Sequence, residues 1–145
     1  MMITRVTTKE ELEHAYHIRT IVFIQEQNVS PEEEMDEYDD EAIHFIAYDG
    51  KTPIGASRLR FVDDYGKLER ICVLHEYRGK SIGKQLIQAM EQAVLERGYQ
   101  KAKLNGQTHA ESFYHHLGYK TVSDEFLDAG IPHVTMIKQL AAPSR

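Results

Sequence analysis

Arg78, Lys80 and Lys84 surround two glycines and a serine in the run Arg78-Gly79-Lys80-Ser81-Ile82-Gly83-Lys84. Cations and small residues packed this closely suit an anion, because backbone N–H groups not shielded by a Cβ can turn toward phosphate oxygens. The flanking elements strengthen that reading. Before the loop, residues 68–74 form a short aliphatic run, the pattern of a buried strand. After it, Ile82, Leu86, Met90, Ala93 and Val94 recur three or four residues apart until Arg97-Gly98, which is one apolar stripe on a helix with a glycine stop. The unit is strand, tight loop, helix. A helix N-terminus offers unpaired N–H groups and the positive end of its dipole, so the loop is expected to cradle a phosphate or pyrophosphate.

Two well-known cradles do not fit. A mononucleotide loop of the form Gly-x-x-x-x-Gly-Lys-Ser/Thr needs glycine five positions before Gly79, where Leu74 stands. A dinucleotide fingerprint needs Gly-x-Gly-x-x-Gly, which Gly79 and Gly83 do not supply. A third does fit. Arg78 to Gly83 resembles the Arg/Gln-x-x-Gly-x-Gly/Ala motif of the GNAT N-acetyltransferases, with Ser81 where that family usually has glycine. A later segment, Gln107-x-x-Ala110-x-x-x-Tyr114-x-x-x-Gly118-Tyr119, is similar to the family's Asn-x-x-Ala-x-x-x-Tyr-x-x-x-Gly-Phe/Tyr, with Gln107 for Asn. Val22-Phe23, Glu26-Gln27 and Gly130-Ile131-Pro132-His133 resemble small bacterial members. The resemblance spans nearly the whole chain.

It implies an α/β GNAT (acyl-CoA N-acyltransferase) fold, a mixed, mostly antiparallel central sheet flanked by helices. It also implies acetyl-CoA as co-substrate and transfer to a primary amine by direct attack in a ternary complex. Such chemistry needs a proton acceptor for the ammonium, N–H donors for the tetrahedral oxyanion and a proton for the leaving thiolate. By the resemblance the pyrophosphate lies on Arg78, Gly79, Lys80, Ser81, Ile82, Gly83 and Lys84, and Gln107 also contacts the co-substrate. The oxyanion donors then lie on Ile71, Cys72 and Val73, and Tyr114 holds the general-acid position. Glu69 is the candidate base, with a cross-strand ion pair to Arg58 or Arg60 as the alternative. His133 is a further candidate base or substrate contact. Acceptors in keeping with this are small cationic amines, amino sugars or protein amines. An acyl-CoA-binding regulatory or interaction module without turnover is the other class to weigh.

The remaining residues bound the class. A chain of 145 residues is expected to form one domain over 1–140, with 141–145 as a tail. Cys72 is the sole cysteine, so no disulfide framework exists and a cytoplasmic setting fits. A lone strand cysteine reads as core rather than nucleophile. No apolar run is long enough to span a bilayer. The net charge of −6 argues against nonspecific nucleic-acid binding. His109, His115 and His116 show no metal-ligand spacing, so no metal is expected. Eight acidic residues fall within 32–41. That stretch reads as a polar loop from 28 to 41, either solvated or a lip attracting a cationic amine. Thr8 and Glu11 predict a capped helix to about Gln27, and 124–132 reads as irregular. Whether the chain is a monomer or pairs as a homodimer stays open.

Overall fold

Helix α1, Lys9–Arg19, starts where a capping box requires it. The Thr8 side chain accepts from the Glu11 N–H at 3.1 Å, and the Glu11 carboxylate accepts from the Thr8 N–H at 3.1 Å. The helix was expected to run straight on to Gln27. It continues, but over Thr20–Glu26 it widens to π-helical turns. The Gln27 N–H donates five residues back to the Val22 carbonyl. Such wide turns recur at functional sites because they re-aim a helix face, and here Phe23, Glu26 and Gln27 reach the wall of a cleft.

A computed structural model describes residues 1–140, and the tail expected at 141–145 lies outside the described residues. Eight strands follow or flank the helices: β1 Met2–Arg5, β2 Ile43–Asp49, β3 Thr52–Val62, β4 Tyr65–Val73, β5 Lys101–Gln107, β6 Lys120–Thr121, β7 Phe126–Asp128 and β8 Ile131–Gln139. They form one sheet in the order β1-β2-β3-β4-β5-β8-β6, with β7 paired to β8. Only β4 and β5 run parallel, joined by helix α3, Ile82–Glu96. The architecture is the mixed, mostly antiparallel sheet that the resemblance implied.

Two expectations need correction. Residues 28–41 are not a plain loop: they hold helix α2, Pro31–Glu34, capped by Ser30, and a 3-10 turn at Glu37–Asp40. Residues 124–132 are irregular only at Asp124 and Glu125. β7 and β8 form a hairpin with Asp128 opposite Ile131, and Ala129 and Gly130 both take positive φ. That is the mirror-image turn matching strand twist, and alanine in its first position hides it from sequence inspection.

The sheet has a core on each face. The α3 stripe (Ile82, Leu86, Met90, Ala93, Val94) is fully buried against Leu59, Leu68, Ala102, Leu104, Val134 and Met136. On the opposite face Ala15, Ile18 and Val22 pack on Ile46, Ala56 and Cys72. Among the described residues no helix is long and apolar enough to cross a membrane.

What matters for function is where the sheet opens. β4 and β5 pair only at Gly66–Ala102, Lys67–Lys103 and Leu68–Leu104. Beyond Leu68 they part. At the same point β4 bulges: Ala56 pairs with Cys72 and Arg58 with Glu69, so β4 carries one extra residue. Arg70 sits in the left-handed region at φ 56°. A bulge bends its strand and increases local twist, which turns the end of β4 away from β5.

Candidate active site

The parting strands open into a cleft of about 1020 Å³. The end of β4 forms one wall, with Glu69, Ile71, Cys72 and Val73, and β5 forms the other, with Asn105 and Gln107. The start of α3 stands at the mouth with Gly79, Ser81, Ile82, Gly83 and Lys84. Tyr114, on helix α4, Glu111–His116, lines it too. The structure thus gathers every site residue expected from the sequence except Lys80, whose Nζ lies over the Tyr77 ring, 5.4 Å from its centroid.

The loop explains the glycine usual at position 81. Ser81 precedes α3 with φ 65° and ψ 17° and makes no side-chain capping bond. A non-glycine residue there carries strain of roughly 1–2 kcal/mol, and the conformation leaves the first N–H groups of α3 uncapped. Arg78 is not a free cation. Its guanidinium donates to both Glu26 carboxylate oxygens at 2.7 and 2.8 Å and to the Val73 carbonyl. It ties the mouth of the cleft to the π-helical segment.

Tyr114 packs through its ring against Phe113 and Tyr119, edge to face at centroid distances of 5.2 and 6.2 Å. It also passes under β5 at Gly106, where a Cβ would lie 2.8 Å from the ring, so glycine is required for that approach. Burial pushes the phenol up to about 12. Cys72, buried beside Ala56, is likewise pushed up to about 12 by burial, which makes it an unreactive thiol.

The acidic stretch is not wholly solvated. Glu34 and Asp39 are buried. Arg19 donates to Glu34 at 3.0 Å and to Asp39 at 2.8 Å. Arg58 reaches Asp36, Asp39 and Glu69 at 2.6, 2.9 and 2.7 Å. Arg70, on the bulge, pairs with Glu34 at 2.7 Å and Asp36 at 3.2 Å. Three arginines thus pair with Glu34, Asp36 and Asp39 and pin the bulge, while Glu32, Glu33, Glu37, Asp40 and Glu41 stay exposed. Glu69 also meets Arg60 at 3.4 Å and Lys67 at 3.1 Å, so the ion pair weighed against its base role is present in the geometry. Burial works to raise the Glu69 carboxyl, but Arg58 and Lys67 outweigh it and hold it below the usual carboxylate range. A carboxylate so held is a weak proton acceptor.

Burial also opposes ionisation of Asp36 and Asp39, and the hydrogen bonds from Arg58 and Arg19 outweigh it, so both lie below their ordinary values. Depressed carboxylates stabilise the fold above the unfolded pKa of about 4, and that stability is lost as pH falls through the lower folded values. Thermal melts should be level near neutrality and fall steeply below about pH 4. Asp39→Asn should melt lower at pH 7 and lose less on further acidification; a parallel acid loss in both proteins would remove Asp39 from the account.

Sequence reasoning passed over Asn105, His109, Phe113 and Asp128 as cleft residues. The β5 alternation was the one available signal, since Lys103, Asn105 and Gln107 share a face. Among the described residues no three His, Cys, Asp or Glu side chains cluster as a metal site.

A parallel strand pair parting over a bulge, with a helix N-terminus at its mouth, defines the class of acyl-CoA N-acyltransferases, and solved members share the fold. Residues 6–140 match the Acetyltransferase (GNAT) domain, and the chain belongs to that family of acyltransferases. It is 48% identical over 131 residues to the uncharacterized N-acetyltransferase YjcF of Bacillus subtilis, covering 90% of this chain and 94% of that one. The crystal structure of a putative N-acetyltransferase from Lactobacillus plantarum superposes with a TM-score of 0.89 at 30% identity, covering 97% of this chain and 98% of that one. The fold alone is shared with an N-acetyltransferase of Thermoplasma acidophilum solved with coenzyme A, at a TM-score of 0.71 and 21% identity, over 96% and 99% of the two chains.

Proposed function

We propose that the protein transfers the acetyl group of acetyl-CoA to a primary amine, by direct attack while both substrates are bound. The observation that carries this is the gap between β4 and β5, with Tyr114 against one sheet face at Gly106 and open cleft on the other. Coenzyme A fits the residues present. The uncapped N–H groups at the start of α3 and Lys84 suit its pyrophosphate. The β4 segment Ile71, Cys72 and Val73 lacks a β5 partner, which leaves main-chain donors for a thioester oxygen and its oxyanion. Tyr114 supplies a proton to the departing thiolate. Glu69 holds Lys67 and Arg58 in place on the acceptor side; its ion pairs suit it less to removing a proton. Acceptors that suit a cleft rimmed by Glu33 and Asp128 are small cationic amines or protein amines.

Turnover tests the reading: acetyl-CoA with an amine panel should release free thiol and yield acetylated amine. The loop is tested by Gly83→Val. Gly83 lies in the first turn of α3, and a Cβ there would already stand 3.7 Å from the Phe113 ring. A branched side chain narrows the mouth, so calorimetry should show coenzyme A affinity at least about tenfold weaker, near 1.4 kcal/mol. Unchanged affinity in the folded variant would move the pyrophosphate elsewhere.

A further inference from the structure

The proposed transfer leaves the ammonium's proton without a good acceptor, since Glu69 is held by Arg58, Arg60 and Lys67. His133 is 8% exposed and lines the same cleft. Its Nδ1 lies 2.6 Å from the Ile131 carbonyl oxygen. A carbonyl oxygen only accepts, so in the neutral ring Nδ1 carries the proton and Nε2 keeps its lone pair. The ring is further held by stacking on Phe126, with centroids 6.1 Å apart and planes at 24°. Nε2 has no partner among the described residues, yet it is not among the buried polar atoms left unsatisfied, so it is accessible on a side chain that lines the cleft.

Register places it relative to Tyr114. His133 pairs with Gln107 and Val134 with Gly106. Successive residues of a strand face opposite sides, and the Gly106 position faces the Tyr114 ring. His133 and Gln107 therefore face the other side, where Gln107 donates to Gln27 of the π-helical segment at 3.0 Å. A proton acceptor and a proton donor thus stand one residue pair apart on opposite faces of the sheet.

From this geometry we infer that His133 Nε2 is the general base that deprotonates the acceptor ammonium. The inference rests on the transfer proposed above. His133 takes one proton from the ammonium and releases it to solvent after turnover. The freed nitrogen lone pair forms the C–N bond at the thioester carbonyl. As the tetrahedral species collapses, the C–S bond breaks, Tyr114 gives its proton to sulfur, and the second proton lost from nitrogen restores Tyr114 through solvent. The sum is ammonium plus acetyl-CoA going to amide, coenzyme A thiol and one proton. The ionisable groups that line the same cleft from the neighbouring elements are Asp128 on β7 and His109 in the 3-10 turn Thr108–Ala110. His109 is itself engaged with the Gln107 amide oxygen at 2.6 Å.

The test uses the full chain, acetyl-CoA and whichever amine of the panel turns over fastest. His133→Gln should lower kcat/KM about 10²-fold at pH 7, with coenzyme A affinity and melting temperature unchanged. The ratio of wild type to variant should shrink as pH approaches the amine's own pKa of about 10, where the free amine needs no base. In His133→Ala, added imidazole should restore part of the rate. A ratio constant across pH, or no loss, overturns the assignment, as does absence of imidazole rescue should the Gln variant fold poorly. Wild-type protein that binds acetyl-CoA but acetylates no amine overturns the transfer reading, and this assignment with it.

Discussion

Tyr114→Phe is expected to lower kcat by about 10²–10⁴-fold, the usual worth of general acid catalysis, while coenzyme A affinity and melting temperature stay near wild type. The substitution keeps the ring, and with it the edge-to-face contacts to Phe113 and Tyr119 and the fit beneath Gly106. Only the hydroxyl is lost. Burial pushes that phenol up to about 12, so it holds its proton near neutral pH. Against an ordinary thiol near 8.5, donation to a fully formed thiolate is uphill by about 3.5 units, or roughly 5 kcal/mol. Two effects reduce that barrier. The same low-dielectric cleft disfavours the thiolate and raises its affinity for a proton. Transfer in concert with C–S cleavage also avoids a free thiolate altogether. If Tyr114→Phe keeps near-full kcat with a true acceptor, Tyr114 is a core residue only.

Arg58→Leu should cost about 3–5 kcal/mol of stability, the range for breaking a buried ion pair by deleting one partner. Arg58 is 1% exposed and serves three carboxylates, those of Asp36, Asp39 and Glu69. Leucine fills part of the volume but leaves these charges facing one another with Arg19, Arg60, Arg70 and Lys67 as the remaining cations. Arg58→Lys should recover little, because one ammonium does not reproduce the planar fork that spans separate carboxylates. Urea unfolding should show a lower midpoint with an unchanged slope. A loss below about 1 kcal/mol would put these pairs with exposed surface bridges. The same substitution should loosen the β4 bulge, since Asp36 also binds Arg70, and so lower kcat without touching the co-substrate loop.

Local chemistry carried much of this protein in plain view. The Thr8–Glu11 capping box, the α3 stripe from Ile82 to Val94 and the loop from Arg78 to Lys84 each depend on residues within a few positions of one another. Their spacing is sufficient to read them. The interval from Gln107 through Tyr114 to Gly118 pointed to the tyrosine through its resemblance to the family motif, and the structure finds that residue lining the cleft. Other features depend on pairings that no short window contains. Arg19 meets Glu34 and Asp39, and Arg58 meets Asp36, across intervals of 15 to 22 residues, so three carboxylates of an acidic run that reads as a surface loop are drawn into ion pairs, two of them buried. The β4 bulge arises from its register with β3, and the π-helical turns after Arg19 change hydrogen bonding without changing the apolar pattern. His133 joins the cleft only because β8 pairs with β5, which sets it opposite Gln107. Periodicity determined the main elements, and the resemblance of two spaced motifs singled out the loop from Arg78 to Lys84 and Tyr114. Tertiary structure decided which charges are buried, where the sheet opens and which lone pair faces the gap, because those depend on distances between segments that only the closed sheet brings together.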